Sequence, residues 1–248
     1  APGTPFLGDS WSGEMNAEIG AEQTTVNVVA TSNASETIEL QVAKTPANDS
    51  INQHLILANW EVHSSQIPVI GSTQFSYSDS AWQLLANADL NGIRSLGVPS
   101  EKEWSLFASM DVRASGNTQN QWSGALETRN INLLENGRPM AFSRFDAIAK
   151  NSADSLQLEW HSDLSNGKLL AENDLDVWRQ WFQRNLHGKE QVQRAPLLDL
   201  QGSLMDFRPL ALLTGSSLNF APLSHFAASN DSTGILITAD IPRFSSGP

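Results

Sequence analysis

The hydrophobic pattern of the chain is mainly that of β-strands. Apolar and polar residues alternate over Glu36–Val42 and over Trp104–Val112, as is typical of strands with one buried face. A polar break at Ser115–Thr118 is followed by a second strand-like segment, Trp122–Leu134. We therefore expect Trp104–Val112 and Trp122–Leu134 to be neighbouring antiparallel strands. The alternation places Leu106, Ala108, Met110 and Val112 inward and Ser105, Ser109 and Asp111 outward.

Shorter segments extend this pattern along the chain. Further strands are predicted at Thr24–Val29, Gln66–Tyr77, Ser155–Leu164, Leu197–Met205, Leu210–Leu213 and Ile235–Ile241. Asn166 and Gly167 form a type I′ hairpin signal. Two short apolar segments, Trp82–Leu85 and Leu90–Leu96, are predicted to form helical turns.

One longer helix is clearly indicated. Asn173 or Asp174 can cap its N-terminus, and Gly188 would end it. Its apolar stripe consists of Leu175, Trp178, Phe182 and Leu186.

Many short strands and few helices predict an all-β protein. Because alternating βα units are absent, we expect an antiparallel jelly-roll sandwich with one or two short helices. The segment Pro46–Ser50 has the composition of a linker. This divides the chain into an N-terminal arm or accessory strands (1–50) and a jelly-roll domain (51–248).

The charge balance narrows the range of partners. Among 248 residues, 15 are basic and 27 acidic, which gives a net charge of −12. This disfavours strong non-specific binding to nucleic acid and attraction to a membrane surface. One local cluster is basic and consists of Arg179, Arg184, Lys189 and Arg194. A solvated helix flank and loop is the favoured interpretation, because steps of five residues do not stay on one helical face, and a weak RNA contact is the alternative.

No pattern of catalytic residues emerges. There is no cysteine, and the five histidines are scattered; the nearest approach to a metal pair is His161 with Asp163. Glu127, Glu159 and Asp163 lie on predicted strands and would suit a glycosidase if two of them stood about 5–10 Å apart in a cleft. Solvated carboxylates are the simpler interpretation in so acidic a chain. We predict that the protein is not an enzyme and has no catalytic, cofactor-binding or metal-binding residue.

The chain has eight tryptophans and a single tyrosine. Exposed indole rings can stack on sugars, but inward-facing ones fill a core, and several of these residues are in inward phase. Those considered are Trp60, Trp82, Trp104, Trp122, Trp160, Trp178 and Trp181. Core filling is the favoured interpretation, and a carbohydrate-binding surface is the alternative.

Several segments, in order, resemble the large coat protein of comoviruses, which are plant picorna-like viruses of the secovirid family. Gly8–Met15 with the strand Thr25–Ala30 is similar to one segment of that protein, and Gln53–Trp60 to the segment joining its two jelly rolls. Trp82–Gly137 resembles the opening of a jelly roll, and Asn230–Ala239 a late strand.

The resemblance implies a structural subunit of an icosahedral capsid, released from a polyprotein. Such a subunit would assemble with other coat subunits around a positive-strand RNA genome, in the virion and, during assembly, in the host cytoplasm. Ala141–Pro222 matches poorly, and the chain has the length of one jelly roll with a long N-terminal segment. We expect part of residues 1–50 to pack on another subunit. The alternative function is that of an exported β-sandwich that binds carbohydrate, and a glycoside-active enzyme is a third.

Overall fold

Antiparallel strands make up most of the residues that the computed structural model describes. These residues are 11–19, 24–32, 36–48, 53–63, 68–94, 104–187, 195–214, 218–220, 223–230 and 234–246. The prediction of an all-β, antiparallel protein is confirmed.

The first part of the chain forms eight long strands. They are β1 (Trp11–Ile19), β2 (Thr24–Ser32), β3 (Thr37–Asn48), β4 (Gln53–His63), β5 (Val69–Tyr77), β6 (Ala81–Arg94), β7 (Trp104–Asn117) and β8 (Trp122–Glu135). The next elements are β9 (Arg138–Pro139), β10 (Phe145–Asn151), β11 (Ser155–Ser162), β12 (Ser165–Glu172) and the helix α1 (Leu175–His187). The last are β13 (Leu198–Leu204), α2 (Arg208–Thr214), β14 (Leu218–Phe220), β15 (Ser224–Asn230), β16 (Ile235–Asp240) and β17 (Phe244–Ser246).

The main sheet is a meander. Fourteen strands follow one another in chain order from β1 to β16, omitting β9, which pairs beside β8, and β14, which pairs with β17 in a separate ribbon. A jelly roll instead places strands that are distant in sequence side by side, through Greek-key connections. The strand order therefore confirms antiparallel β-structure without confirming the jelly roll.

The segment expected to be an arm continues this sheet. β3 pairs with β4 from Thr37 opposite His63 to Asn48 opposite Gln53. The prediction of a linker at Pro46–Ser50 is wrong for residues 46–48, because these lie within β3. Residues 49 and 50 lie outside the described residues. The register shifts between Thr45 and Asn48, and such an irregularity accommodates a proline that has no N–H to donate. Packing of residues 1–50 on another subunit stays a prediction.

The pairing expected in the middle of the chain is confirmed. β7 and β8 are antiparallel neighbours, with Val112 opposite Leu126. Trp104 and Ala108 are buried, as the alternation predicts. A register shift between Phe107 and Ser109 marks a bulge.

Two of the predicted elements have the wrong secondary structure. The helical turns expected at Trp82–Leu85 and Leu90–Leu96 are replaced by β6, with residues 95–96 outside the described range. The strand expected at Leu210–Leu213 is part of α2. The Asp206 carboxylate accepts the Arg208 N–H at 3.0 Å and so caps α2, which a reading of four apolar residues in isolation overlooks.

The hairpin expected in this region forms between β11 and β12, but the predicted position of its turn, at Asn166 and Gly167, is wrong. β11 ends at Ser162 and β12 begins at Ser165, so the chain reverses at Asp163 and Leu164. Gly167 lies inside β12, directly opposite Trp160. Its small size serves a close contact across the sheet rather than a turn.

The predicted helix is confirmed as α1. The Asp174 carboxylate accepts the N–H groups of Asp176 at 2.8 Å and Val177 at 3.4 Å, which is the expected N-cap. Trp178 Nε1 donates to the carbonyl of Glu172 at 3.0 Å and ties the helix to the end of β12. Gly188, the expected C-terminal stop, lies outside the described residues.

The main buried cluster lies where α2 meets the middle of the sheet. Leu212 of α2 joins side chains from four successive strands, β5 to β8. These are Val69, Ala88, Ile93, Trp104 and Leu133. The helix therefore covers one part of the sheet.

Candidate binding surface on the apolar face of the sheet

The strand register places one row of almost entirely apolar residues across the whole main sheet. Each member is directly opposite the next, and thirteen of the fourteen are apolar or glycine, the exception being Thr73. We call this the apolar row: Ala17, Val26, Val42, Ala58, Thr73, Ala86, Val112, Leu126, Ala147, Trp160, Gly167, Gly202, Phe226 and Ala239.

A one-residue step along every strand changes the chemistry completely. The adjacent row lies on the opposite face, because successive side chains of a strand point to opposite sides. All fourteen of its members are polar or charged, and we call it the polar row. They are Asn16, Asn27, Gln41, Asn59, Ser72, Asn87, Asp111, Glu127, Asp146, His161, Asn166, Ser203, His225 and Asp240.

Formal charge is concentrated on the polar side of the sheet. Lys44 in β3 and Glu135 at the end of β8 share the face of the apolar row. The other acidic and basic residues of the fourteen strands fall on the face of the polar row. We call the side that carries the apolar row the apolar face.

The apolar face is open over much of its length. The twelve inner members of the apolar row are half-buried, and the outer two, Ala17 and Ala239, are exposed. In two sheets packed face to face, inward side chains at mid-strand are covered by the second layer. Near the two edges, Met15 and Ile237 are 71% and 73% exposed. In the part of the chain that the structure describes, the sheet outside the region that α2 covers is therefore a single layer with one apolar face.

Glycines and aromatic rings are paired across neighbouring strands on this face. Gly71 lies opposite Trp60, and a Cβ at Gly71 would collide with the indole ring. Gly167 has the same relation to Trp160, Gly202 to Phe226, and Gly116 to Trp82. A ring that lies over glycine rests close to the backbone and shields it from water.

The indole N–H groups of these rings are satisfied locally in two cases. Trp60 Nε1 donates to Thr73 Oγ1 at 3.3 Å, and Trp160 Nε1 donates to Ser165 Oγ at 3.0 Å. Both rings are half-buried. This agrees with the interpretation of the tryptophans as packing residues.

An aromatic cluster occupies the apolar face of β4, β5 and β6. His54 stacks on Tyr77 with ring centroids 4.8 Å apart, and Phe75 contacts Tyr77 and Trp82 at 5.7 Å and 6.4 Å. The Nδ1 atom of His54 is buried and, within the described residues, has no hydrogen-bond partner. This edge of the face thus joins aromatic rings to one polar atom.

The carboxylates considered for catalysis lie on exposed surface. Glu127 pairs with Arg129 at 3.2 Å, and Glu159 with His161 at 3.1 Å. Both border a shallow open depression on the polar side, but their side chains are 45% and 59% exposed. A general acid requires burial that keeps its carboxyl protonated. Asp163 does not border this depression.

The carboxylate of Asp163 instead forms structural hydrogen bonds. It accepts hydrogen bonds from Ser143 N and Ser143 Oγ, both at 2.7 Å, and from Arg144 N at 3.1 Å. The bonds from Ser143, above all that from its hydroxyl, lower the pKa of Asp163 below its usual value. His161 turns to Glu159, so the sequence neighbours His161 and Asp163 do not form a pair. Within the described residues no three His, Asp or Glu side chains converge as metal ligands.

The basic residues considered for RNA contact are only partly described. Arg179 and Arg184 belong to α1, and Arg179 is exposed. Lys189 and Arg194 lie outside the described residues. A weak RNA contact stays a prediction.

Comparison of the chain with family models, with curated proteins and with solved structures found no match. In the described part of the chain, neither helix has the length and apolar composition needed to cross a membrane.

Proposed function

We propose that this chain is a non-catalytic binding protein whose apolar face holds hydrocarbon chains, such as the acyl chains of lipids or other amphiphiles. The observation that carries this proposal is the apolar row. It runs through all fourteen strands, the row one residue away on the opposite face is wholly polar, and its twelve inner members are half-buried.

The chemistry of the face favours hydrocarbon over a protein partner. A protein interface forms about one hydrogen bond per 100–200 Å² of buried surface. The apolar row offers one hydroxyl, that of Thr73, and this hydroxyl already accepts the Trp60 N–H. A ligand without hydrogen-bonding groups gives up no hydrogen bonds to water when it binds to such a surface.

The dimensions of the face fit several chains at once. With strands about 4.8 Å apart, fourteen strands extend over roughly 60 Å. A bilayer core of about 30 Å contains two acyl chains end to end, so one chain covers about a quarter of the face. Each buried methylene contributes about 0.8 kcal/mol, which makes even partial coverage favourable.

The test is quenching of tryptophan fluorescence by a brominated fatty acid added to delipidated protein. Trp60 and Trp160 lie on the apolar face, so bound bromine atoms quench their emission. We expect saturable quenching, which Leu126→Glu in the apolar row weakens at least about tenfold because it places a charge under the ligand.

Ala125→Glu is the matched control. Ala125 neighbours Leu126 on the same strand but points to the polar side, so quenching should be unchanged. Circular dichroism verifies that both variants are folded. Equal loss of quenching in both variants, or no saturable quenching in the unmodified protein, would contradict the proposal.

A second candidate is the capsid subunit implied by the resemblance to comovirus coat proteins. Within the described residues, β1 and β16 each pair on one side only, and the apolar face lacks a second layer over much of its length. Neighbouring copies in a shell would cover such surfaces. The strand order of the described residues is a meander and not that of a jelly roll, which counts against this candidate.

Negative-stain microscopy of the protein purified from its source tests the capsid candidate. Uniform particles of about 30 nm would establish it, and a dispersed protein that quenches with brominated fatty acid would favour the hydrocarbon-binding function. The carbohydrate alternative predicts that the protein is retained on a glycan array. Indole rings that rest over glycines offer little free surface on which a sugar could stack.

A further inference from the structure

The last strand of the main sheet, β16, has the properties of a pairing site. It is paired with β15 on one side, and no strand of the described residues pairs with its other side. From Ile235 to Ala239 it has no charge and no proline. Leu236 on the polar side and Ile237 on the apolar side are 63% and 73% exposed. An exposed, uncharged and mostly apolar edge strand is a template for another strand.

The opposite edge of the sheet is protected differently. β1 carries Glu14 and Glu18 on its polar side, and charged side chains discourage strand addition. If β1 of another copy were added to β16, these carboxylates would come beside Leu236 and Thr238, which offer them no partner. The two edges are therefore poorly matched to each other.

We propose that two copies of the chain associate through β16, as an antiparallel pair related by a two-fold axis at Ile237. Ile237 then lies opposite Ile237 of the partner subunit, and Ile235 lies opposite Ala239 of the partner subunit. No charged residue faces another, because Asp240 falls opposite Gly234. The symmetry is closed, so the product is a dimer rather than a filament.

This register joins the two sheets without changing their faces. Residues directly opposite in an antiparallel pair point to the same side, so the apolar face continues from one copy into the next. A shift by one residue would place the apolar face of one copy beside the polar face of the other. The dimer thus has one continuous apolar surface of twice the length.

Cross-linking tests the pair directly, because the chain contains no cysteine. In this register the two Ile237 Cα atoms are about 4.5–5.5 Å apart, a separation that a disulfide spans. The two Leu236 Cα atoms are offset by two residues and about 8 Å apart, which is too far. Oxidation of delipidated full-length protein should therefore yield a covalent dimer with Ile237→Cys and much less with Leu236→Cys.

Ile19→Cys, at an 84% exposed position on the apolar side of β1, is the matched control for the other edge. Analytical ultracentrifugation of the unmodified chain should show a dimer, and Ile237→Lys should raise its dissociation constant at least about tenfold, whereas Ile19→Lys should not. A monomer at all concentrations, equal cross-linking through Ile19→Cys, or larger assemblies sensitive to both lysine variants would overturn the proposal. Because no fatty acid is present, these outcomes are independent of hydrocarbon binding.

Discussion

The indole ring of Trp60 lies over Gly71, its direct cross-strand partner, and occupies the space where a side chain would be. The carbonyl oxygen of Asn87 on β6 also lies close, 2.6 Å from the position of a Cβ. Gly71 is thus held between a ring on one neighbouring strand and the backbone of the other. This relation recurs along the apolar face and explains how bulky rings lie flat on a single-layer sheet.

Gly71→Ala should destabilise the protein by about 1–3 kcal/mol, because neither the ring nor the backbone of β6 can move freely. Gly234→Ala is the control, since a Cβ there would meet nothing within 4 Å. Its effect should be within about 1 kcal/mol and can be stabilising. Urea denaturation of both variants measures the difference, and equal midpoints would show that the Trp60 contact adapts without cost.

At the end of the β8–β10 pairing, the side chain of Thr128 forms the hydrogen bonds that a partner backbone would otherwise form. Its hydroxyl donates to the Phe145 carbonyl at 2.6 Å and accepts the Phe145 N–H at 2.7 Å. Thr128 is 8% exposed, so water cannot easily substitute. Thr128→Val keeps the shape but leaves both backbone groups unpaired, and we expect a loss of about 1–3 kcal/mol.

Hydrogen exchange at Phe145 measures this effect locally. Its amide should exchange faster in Thr128→Val, while Thr238→Val, at an exposed position of β16, should leave it unchanged. Unchanged protection of Phe145 in Thr128→Val would mean that its N–H finds another acceptor.

The sequence predicts faces better than it predicts neighbours. Alternation in Trp104–Val112 correctly indicated a strand and its inward side, because the period of two is a local property. It contains no information on which strand lies beside which, so the meander order could not be read from it. Trp82–Leu85 and Leu210–Leu213 are too short to distinguish a strand from a helix by periodicity.

The candidate site was missed for the same reason. Asp111 and Val112 look like an ordinary outward and inward pair in one strand. They belong to the polar row and the apolar row only because of how thirteen pairs of neighbouring strands are aligned. Each alignment is set by hydrogen bonds between residues distant in sequence. The sequence Asn166-Gly167 alone indicates a turn, because only the pairing of β11 with β12 shows that Gly167 lies opposite Trp160.

Leu212 should be the residue through which α2 covers the sheet. It is 7% exposed and packs with Trp104 and Leu133. Leu212→Ala should cost about 2–5 kcal/mol, because it leaves a cavity between the helix and four strands. Leu57→Ala, at a 41% exposed position on the polar side of β4, should cost less than about 1 kcal/mol. Thermal denaturation distinguishes the two, and equal losses would exclude a special contribution from α2.

The turn held by Asp163 should make stability depend on pH. Hydrogen bonds from Ser143, followed by the backbone bond from Arg144, favour the charged carboxylate and lower its pKa below the unfolded value. Because the folded-state pKa is depressed, the stabilisation is complete at pH values above the unfolded pKa. It is lost as the pH falls through the folded pKa. Asp163→Asn should therefore be less stable than the unmodified chain at pH 7, by roughly 1 kcal/mol for bonds in so exposed a turn.

Urea denaturation of Asp163→Asn and of the unmodified chain at pH 7 and at pH 2.5 measures this dependence. The difference in unfolding free energy should be smaller at the lower pH, because the stabilisation is lost as the carboxyl of the folded chain takes up its proton. Glu159→Gln is the control, because the carboxylate of Glu159 contacts an exposed histidine rather than backbone N–H groups. A difference for Asp163→Asn that is the same at both pH values would mean that the turn depends on the shape of the side chain and not on its charge.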